Sequence, residues 1–370
     1  MSKFSDFFTF GIKPIQEIKS GFYTSHHLMH GDIPYRLHLR VDPNQRGILT
    51  LNASTILHLN KTAIEMAYFL IQGQKPSQIA KTIRKRYKAP LSEIKNDVDT
   101  FYETLTGFID DEDLAPMTSM LALINDEENS DIMAPYRLDC YFSNPEIKND
   151  MTNAEWKVVF EKVFNAGIPH VILLDISEPQ KEMLLDLLCH LEDLGLVSGL
   201  VASPEFLDNS DYLQQLLVRG LDHLVYEADP CIKEHRSLLN SILDCDLFTC
   251  LRMPYKAHTD YSEILEDLFE HGINAFAFSN SDEEKDEGYI ALQTQIIDKQ
   301  ISILDDMPFS RMPSNYNHHF TPKDNSKLKY LSLLPNGDLI IPALEPITIG
   351  NLLYEDWDAL WEKCRKNCDE

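Results

Sequence analysis

Seven cysteines are the residues of this chain best suited to metal or redox chemistry: positions 140, 189, 231, 245, 250, 364 and 368. An iron-sulfur cluster needs several thiolates at one place, and these are scattered. Cys364 and Cys368 share one face of a C-terminal helical stretch at i and i+4. Two thiols without two further ligands make an incomplete metal site, so they read as thiols at a tail. Cys140 closes the apolar run Tyr136-Arg-Leu-Asp-Cys-Tyr-Phe142 and reads as a core residue. Three carboxylates, Asp175, Glu178 and Asp229, follow other apolar runs and could make an acidic mouth, with Glu178 able to bind an amine or to cap its loop. His170 and His223 stand at the beginnings of such runs and read as structural. His26, His27, His30 and the pair His318-His319 have no thiol or carboxylate spacing to support metal binding. Lys81, Arg84, Lys85, Arg86 and Lys88 form the one basic cluster, the type of face that meets phosphate or an acidic peptide.

Elements to position these groups can be read from hydrophobic spacing. The chain has 370 residues, 44% of them hydrophobic and 25% charged, enough for two or three domains with proper cores. No run approaches the roughly 20 apolar residues of a membrane span. The N-terminal residues lack the core and cleavage site of a signal peptide, so a cytoplasmic location and reduced cysteines are expected. The net charge of −26 argues against nucleic acid as the main partner.

Residues 1–33 show no clear period and read as an extension. Residues 35–60 contain three β-like runs. Three helices should follow: one capped by Asn60, one capped by Ser77, and one opening at Ser92 with Ile94, Val98, Phe101, Leu105 and Phe108 on a stripe. Together, residues 34–112 suggest a compact winged-helix-like α+β domain. An acidic linker is expected over 113–133. From Tyr136 short apolar runs at 136–142, 170–176, 197–203, 223–229, 247–254 and 273–279 alternate with amphipathic stretches. That alternation predicts six βα units, a partial (β/α)6 barrel over 134–305 with a helix at 290–305 closing the sixth. Residues 306–370 should form a small cap, a hairpin around Pro335-Asn-Gly-Asp338 and a helix with Trp357 and Trp361. The fold class expected is α/β.

Residues 34–112, through the stretch from GILTLNASTILHLNKTA to DVDTFYETLTGFID, resemble the PqqD family of peptide-recognition elements (RiPP recognition elements) in the order and spacing of their strand, helix start and long third helix. The resemblance implies that the leader part of a precursor peptide adds as a strand at Thr55, Ile56, Leu57 and Leu59 and packs against Ile94, Val98 and Phe101. Residues 134–305 resemble the radical S-adenosylmethionine (SAM) barrel, through HVILLDISEPQ and GLDHLVYEADP. The ending IGNLLYEDWDALWEK resembles that family's SPASM/twitch-type cap.

Departures from the family pattern are as informative. The three-cysteine cluster motif after the first strand has no counterpart beyond Cys140. The Gly-Gly-Glu-Pro loop reads Asp175-Ile-Ser177-Glu178-Pro179, where side chains replace the glycines that let backbone approach the SAM amino group. A cluster cysteine of the cap is replaced near Ala343. On this reading the barrel is a degenerate one, with a remnant SAM site at Asp175, Ser177, Glu178 and Pro179, no cofactor, and no catalytic or metal residues. The expected function is a non-catalytic, precursor-peptide-binding partner, acting with an active radical SAM paralogue. Alternatives are an enzyme that binds SAM or another small ligand at the barrel mouth with cluster ligands supplied unusually, and a winged-helix DNA-binding regulator.

Overall fold

The computed structural model describes residues 17–52, 55–87, 89–110, 132–147, 149–207, 210–245, 247–279, 287–304, 328–342 and 346–369. Most of the acidic linker, His318, His319, Ala343 and Lys88 lie outside these residues, as do the side chains of His26, His27 and Cys368. The chain divides into two compact units, residues 1–51 with 57–112, and residues 52–56 with 113–370.

One sheet has the order β1 (Gly21–His30), β2 (Ile33–Val41), β3 (Gly47–Leu51), β4 (Thr55–Leu59), and all of it but Thr55 and Ile56 belongs to the first unit. Residues 21–30, expected to belong to an extension, therefore form its first strand. A register shift between Ser25 and Leu28 explains why no period showed there, because a bulge resets the inward-outward alternation. Helices α1 (Lys61–Ile71), α2 (Pro76–Arg86) and α3 (Leu91–Asp110) follow. The Asn60 side chain caps α1, accepting from the Ala63 N–H at 3.0 Å. Ser77 does not cap α2: the helix starts one residue earlier at Pro76, whose missing N–H costs nothing in a first turn. Leu37, Leu39, Val41, Leu49 and Leu51 meet Ile64, Ala67, Ile79, Ile83, Ile94 and Val98 in one core.

The second unit alternates strands and helices: β5 (Arg137–Tyr141), α4 (Asn153–Asn165), β6 (His170–Leu174), α5 (Lys181–Leu194), β7 (Val197–Ala202), α6 (Ser210–Val218), β8 (His223–Glu227), α7 (Lys233–Leu243), β9 (Phe248–Met253), α8 (Ser262–Glu270), β10 (Ala275–Phe278) and α9 (Glu287–Asp298). Instead of one helix over 290–305, α9 ends early and a two-residue strand β11 (Ser302–Ile303) pairs with β10. Every pair from β5 to β11 is parallel and the strands β5 to β7 are buried throughout, as a sheet clothed in helices requires. Tyr141, Ile172, Leu174, Val201, Val225, Cys250, Ala275, Ala277 and Leu304 form one cluster. Side chains from β5 and from β10 could not meet there unless the sheet curled around them, so this face is a barrel interior.

Two chemical details set the helix ends. Thr152 and Glu155 cap α4 reciprocally, and those hydrogen bonds hold the Glu155 carboxyl below its usual range. Gly195, at φ 85°, ends α5 in the left-handed conformation. The expected hairpin is present as β12 (Tyr330–Leu333) and β13 (Asp338–Ile341), followed by β14 (Ile347–Asn351) and α10 (Trp357–Asp369). β12 also pairs in parallel with β5, so the hairpin continues the barrel sheet. Lys162 of α4 staples this region by donating to the carbonyls of Leu352, Leu353 and Glu355 at 2.9 to 3.0 Å.

Candidate functional site

The C-terminal ends of β5 to β10 form the barrel mouth, where enzymes of this architecture place their ligands. After β6 the chain turns at Asp175, whose φ of 54° lies in the left-handed region. Aspartate tolerates that region better than most residues, so the backbone keeps a glycine-like turn while carrying a side chain. The Asp175 carbonyl accepts from the Ser143 hydroxyl at 2.6 Å, and the Gln180 amide donates to the Phe142 carbonyl at 2.9 Å. These two bonds clip the loop after β6 to the loop after β5. Ser177 and Gln180 bond to each other around a short helical turn, Glu178–Gln180.

The expected acidic mouth needs correction, because two of its carboxylates are matched by lysines. Glu178 pairs with Lys181 at 2.9 Å. The Lys181 ammonium also faces the Phe206 and Tyr212 rings, at 4.7 and 4.8 Å from their centroids. Asp229 accepts from Lys256. Burial alone would raise the Asp229 carboxyl, but the bonds from Lys256 and Cys231 outweigh it and hold it below its usual range. Beside it, Glu227 accepts from buried Arg252 at 2.9 Å. Tyr255 meets Tyr289 and Tyr261, and Phe278 meets Tyr289, making an aromatic wall next to these charges. Arg252 and Lys256 escaped the sequence reading. The available signal was an arginine inside the otherwise apolar strand Phe-Thr-Cys-Leu-Arg-Met.

Cys140 is buried and does not face the barrel interior. Neighbouring side chains of a strand point to opposite faces. Tyr141 belongs to the interior cluster, and Phe142 stacks on Trp156 of α4 at 4.3 Å, so Cys140 shares the helix-facing side with Phe142. Burial and the neighbouring Asp139 charge raise its thiol well above the usual range. The second buried strand cysteine, Cys250, lies inside the barrel.

β4 is a terminal strand of its sheet. Thr55 and Ile56 lie on it, though their side chains are outside the described residues. Leu57 is half-buried against the core and Leu59 is buried. Ile94 and Val98 are 4% and 1% exposed inside that core. This corrects their expected place on a peptide-facing surface: they fasten α3 to the domain. Phe101 is partly buried and remains at the surface of α3. The basic cluster on α2 is also reduced, since Arg86 pairs with buried Glu65 at 2.9 Å and the Tyr87 hydroxyl donates to the same carboxylate.

Comparison with known proteins gives one firm result. Streptococcus suis SuiB bound to S-adenosylmethionine superposes with a TM-score of 0.54 at 12% identity, covering 92% of this chain and 88% of SuiB. SuiB bound to the precursor peptide SuiA gives 0.52 at 11% identity, with 93% and 88% covered. SuiB without a stated ligand gives 0.52 at 12% identity, with 88% and 86% covered. The likeness is one of fold. It agrees at that level with the βα barrel read from the sequence. No protein-family profile matches the chain, and no curated protein matches it by sequence.

The expectation that the barrel takes no cofactor is corrected by this likeness, since SuiB shares the fold and was crystallised with S-adenosylmethionine. The strand ends carry carboxylates paired with cationic side chains near buried aromatic rings, group types that a zwitterionic amino acid and a sulfonium can meet. An iron-sulfur cluster fits less well. Cys140 faces the helix layer, and no group of three or more metal-ligating side chains occurs among the described residues. No helix among those residues is long and apolar enough to cross a membrane.

Proposed function

We propose that this chain is a precursor-peptide-binding protein of a peptide-modification system, whose barrel mouth holds S-adenosylmethionine. The observation that carries the reading is the likeness to SuiB over 92% of the chain, in structures that hold S-adenosylmethionine and a precursor peptide. The leader part of the peptide adds as a strand to β4, through Thr55, Ile56, Leu57 and Leu59, with Phe101 of α3 beside it. One feature favours that edge over β1. A strand-end pairing needs regular backbone, and the register shift between Ser25 and Leu28 interrupts β1.

At the mouth, Asp229 and Glu227 lie where hydroxyl and ammonium groups of the ligand would be bound. Lys256, half-exposed, answers a carboxylate, while buried Arg252 holds Glu227 in place and Tyr255, Tyr289 and Phe278 pack beneath. The sulfonium supplies an activated carbon when the molecule is bound. The loop Asp175-Ile-Ser177-Glu178-Pro179 borders the same space, with Asp175 preserving the turn. The sequence carries only Cys140 where the three-cysteine cluster motif would stand; on that ground the chain's own part is binding, and radical chemistry falls to an active paralogue that receives the peptide. Cytoplasmic residence follows from that partnership.

Two titrations of the full chain test this. Fluorescence polarisation with labelled leader peptides from short reading frames beside the gene should saturate, and Leu57→Pro, which removes a backbone donor from β4, should abolish it. Equilibrium dialysis with labelled S-adenosylmethionine should show one site that weakens in Asp229→Asn. Failure of every peptide to bind would sink the peptide reading, and failure of dialysis would sink the mouth assignment.

A further inference from the structure

The end of the barrel opposite the mouth holds a group of buried polar side chains that the proposed function does not use. Arg137, Asp139, His170, His223 and Ser332 are 0 to 4% exposed. Pairing places them side by side: Arg137 opposite His170, Gly199 opposite His223, and Ser332 opposite Asp139. Arg137 donates to Asp139 from Nε at 2.7 Å and from Nη2 at 3.2 Å, and lies 4.2 Å over the Tyr330 ring. The His170 and His223 rings meet edge to face, with centroids 5.2 Å apart, and His223 meets Phe248 in the same way at 5.4 Å. Among the described residues, Nε2 of His170, both ring nitrogens of His223 and Oγ of Ser332 are buried with no hydrogen-bond partner.

A protonated imidazole needs a counter-ion or water when buried. The charged and titratable groups around the pair supply neither freely. From β5 come Arg137, which repels a second cation, and Asp139, which Arg137 already engages through two bonds. From β7 comes Gly199, where an added Cβ would stand 3.5 Å from His170 Nε2, and from β9 come Phe248 and, one layer further in, Cys250. β12 brings Tyr330, preceded by Lys329. Asp222, next to His223 in sequence, accepts the Ser198 N–H at 2.8 Å.

We propose that His170 and His223 form an acid-sensitive latch at the floor of the barrel, packed as two neutral rings beside Arg137, so that their protonation on opening drives the second unit to unfold in mild acid. Burial lowers both imidazoles, His170 further through the His223 and Arg137 charges, and His223 to about 3. An imidazole that stays neutral when folded and gains a proton when unfolded makes the folded form lose ground as pH falls. The stabilisation is complete above about pH 6.5, the unfolded value, and is lost progressively toward about pH 3.

The chain provides its own reporter, because its three tryptophans, Trp156, Trp357 and Trp361, all lie in the second unit. Urea unfolding followed by tryptophan fluorescence should show a wild-type unfolding constant that rises by about 100-fold from this pair between about pH 8 and pH 5.5, roughly tenfold per ring. In the double variant His170→Leu, His223→Phe that increment should vanish, leaving the shallower rise due to the remaining groups. An unchanged pH dependence in the variant overturns the latch. If the variant does not fold, hydrogen–deuterium exchange at imidazole C2, read by mass spectrometry on the wild-type chain, decides the matter. Both rings should exchange without an inflection between about pH 5 and pH 8, and a midpoint near 6.5 at either ring overturns the proposal.

Discussion

The two ends of the barrel handle charge in opposite ways. At the floor, Arg137 and Asp139 are sealed from water and bonded bidentately. At the mouth, Glu178 is 77% exposed and leans on Lys181, and Lys256 reaches Asp229 from a half-exposed position. A buried pair is costly to break because the surviving charge is stranded. An exposed pair can be exchanged for solvent or ligand at little cost. The floor therefore locks the register of the strands, while the mouth leaves Glu178 and Lys256 available to a ligand.

The sharpest way to break that comparison is Asp139→Ala, which strands the Arg137 guanidinium. It should destabilise the second unit by about 3–5 kcal/mol in urea unfolding read by tryptophan fluorescence. A cost under about 1 kcal/mol would mean the floor pair is dispensable. Lys162→Met removes one cation from three carbonyls and should cost about 2–3 kcal/mol in the same measurement. At the mouth, Asp175→Gly should instead stabilise the protein by about 1 kcal/mol, since glycine adopts a φ of 54° without the steric penalty of a Cβ. It should also tighten S-adenosylmethionine binding in dialysis. Smallest of all, Glu178→Gln should change the thermal midpoint by less than the equivalent of about 0.5 kcal/mol, because solvent already screens its pair with Lys181.

Much of this architecture was legible in the spacing of apolar residues. The runs at 170–176 and 223–229 became β6 and β8 with trimmed ends, because buried parallel strands are nearly continuous in hydrophobicity. Strand β1 was missed because a bulge spoils the period-two signal. The pairing of β12 with β5 joins residues far apart in sequence, and no local pattern reports such a contact. At the mouth, Asp175, Glu178 and Asp229 could be placed at strand ends from sequence alone. Their lysine partners could not, because Lys256 meets Asp229 across two loops and pairing of that kind depends on tertiary geometry. Ile94 and Val98 show the opposite error: a helical stripe marks an inward face, and the resemblance turned it into a ligand surface.

The left-handed turn at Asp175 has a consequence at the level of the gene. Every aspartate codon becomes a glycine codon by a single base change at its second position. Since the backbone already holds the shape that glycine prefers, the route from the present loop to one with an open backbone is one mutational step and needs no refolding of the turn. Populations carrying this gene can sample a glycine at the barrel mouth whenever selection rewards closer approach of a ligand there.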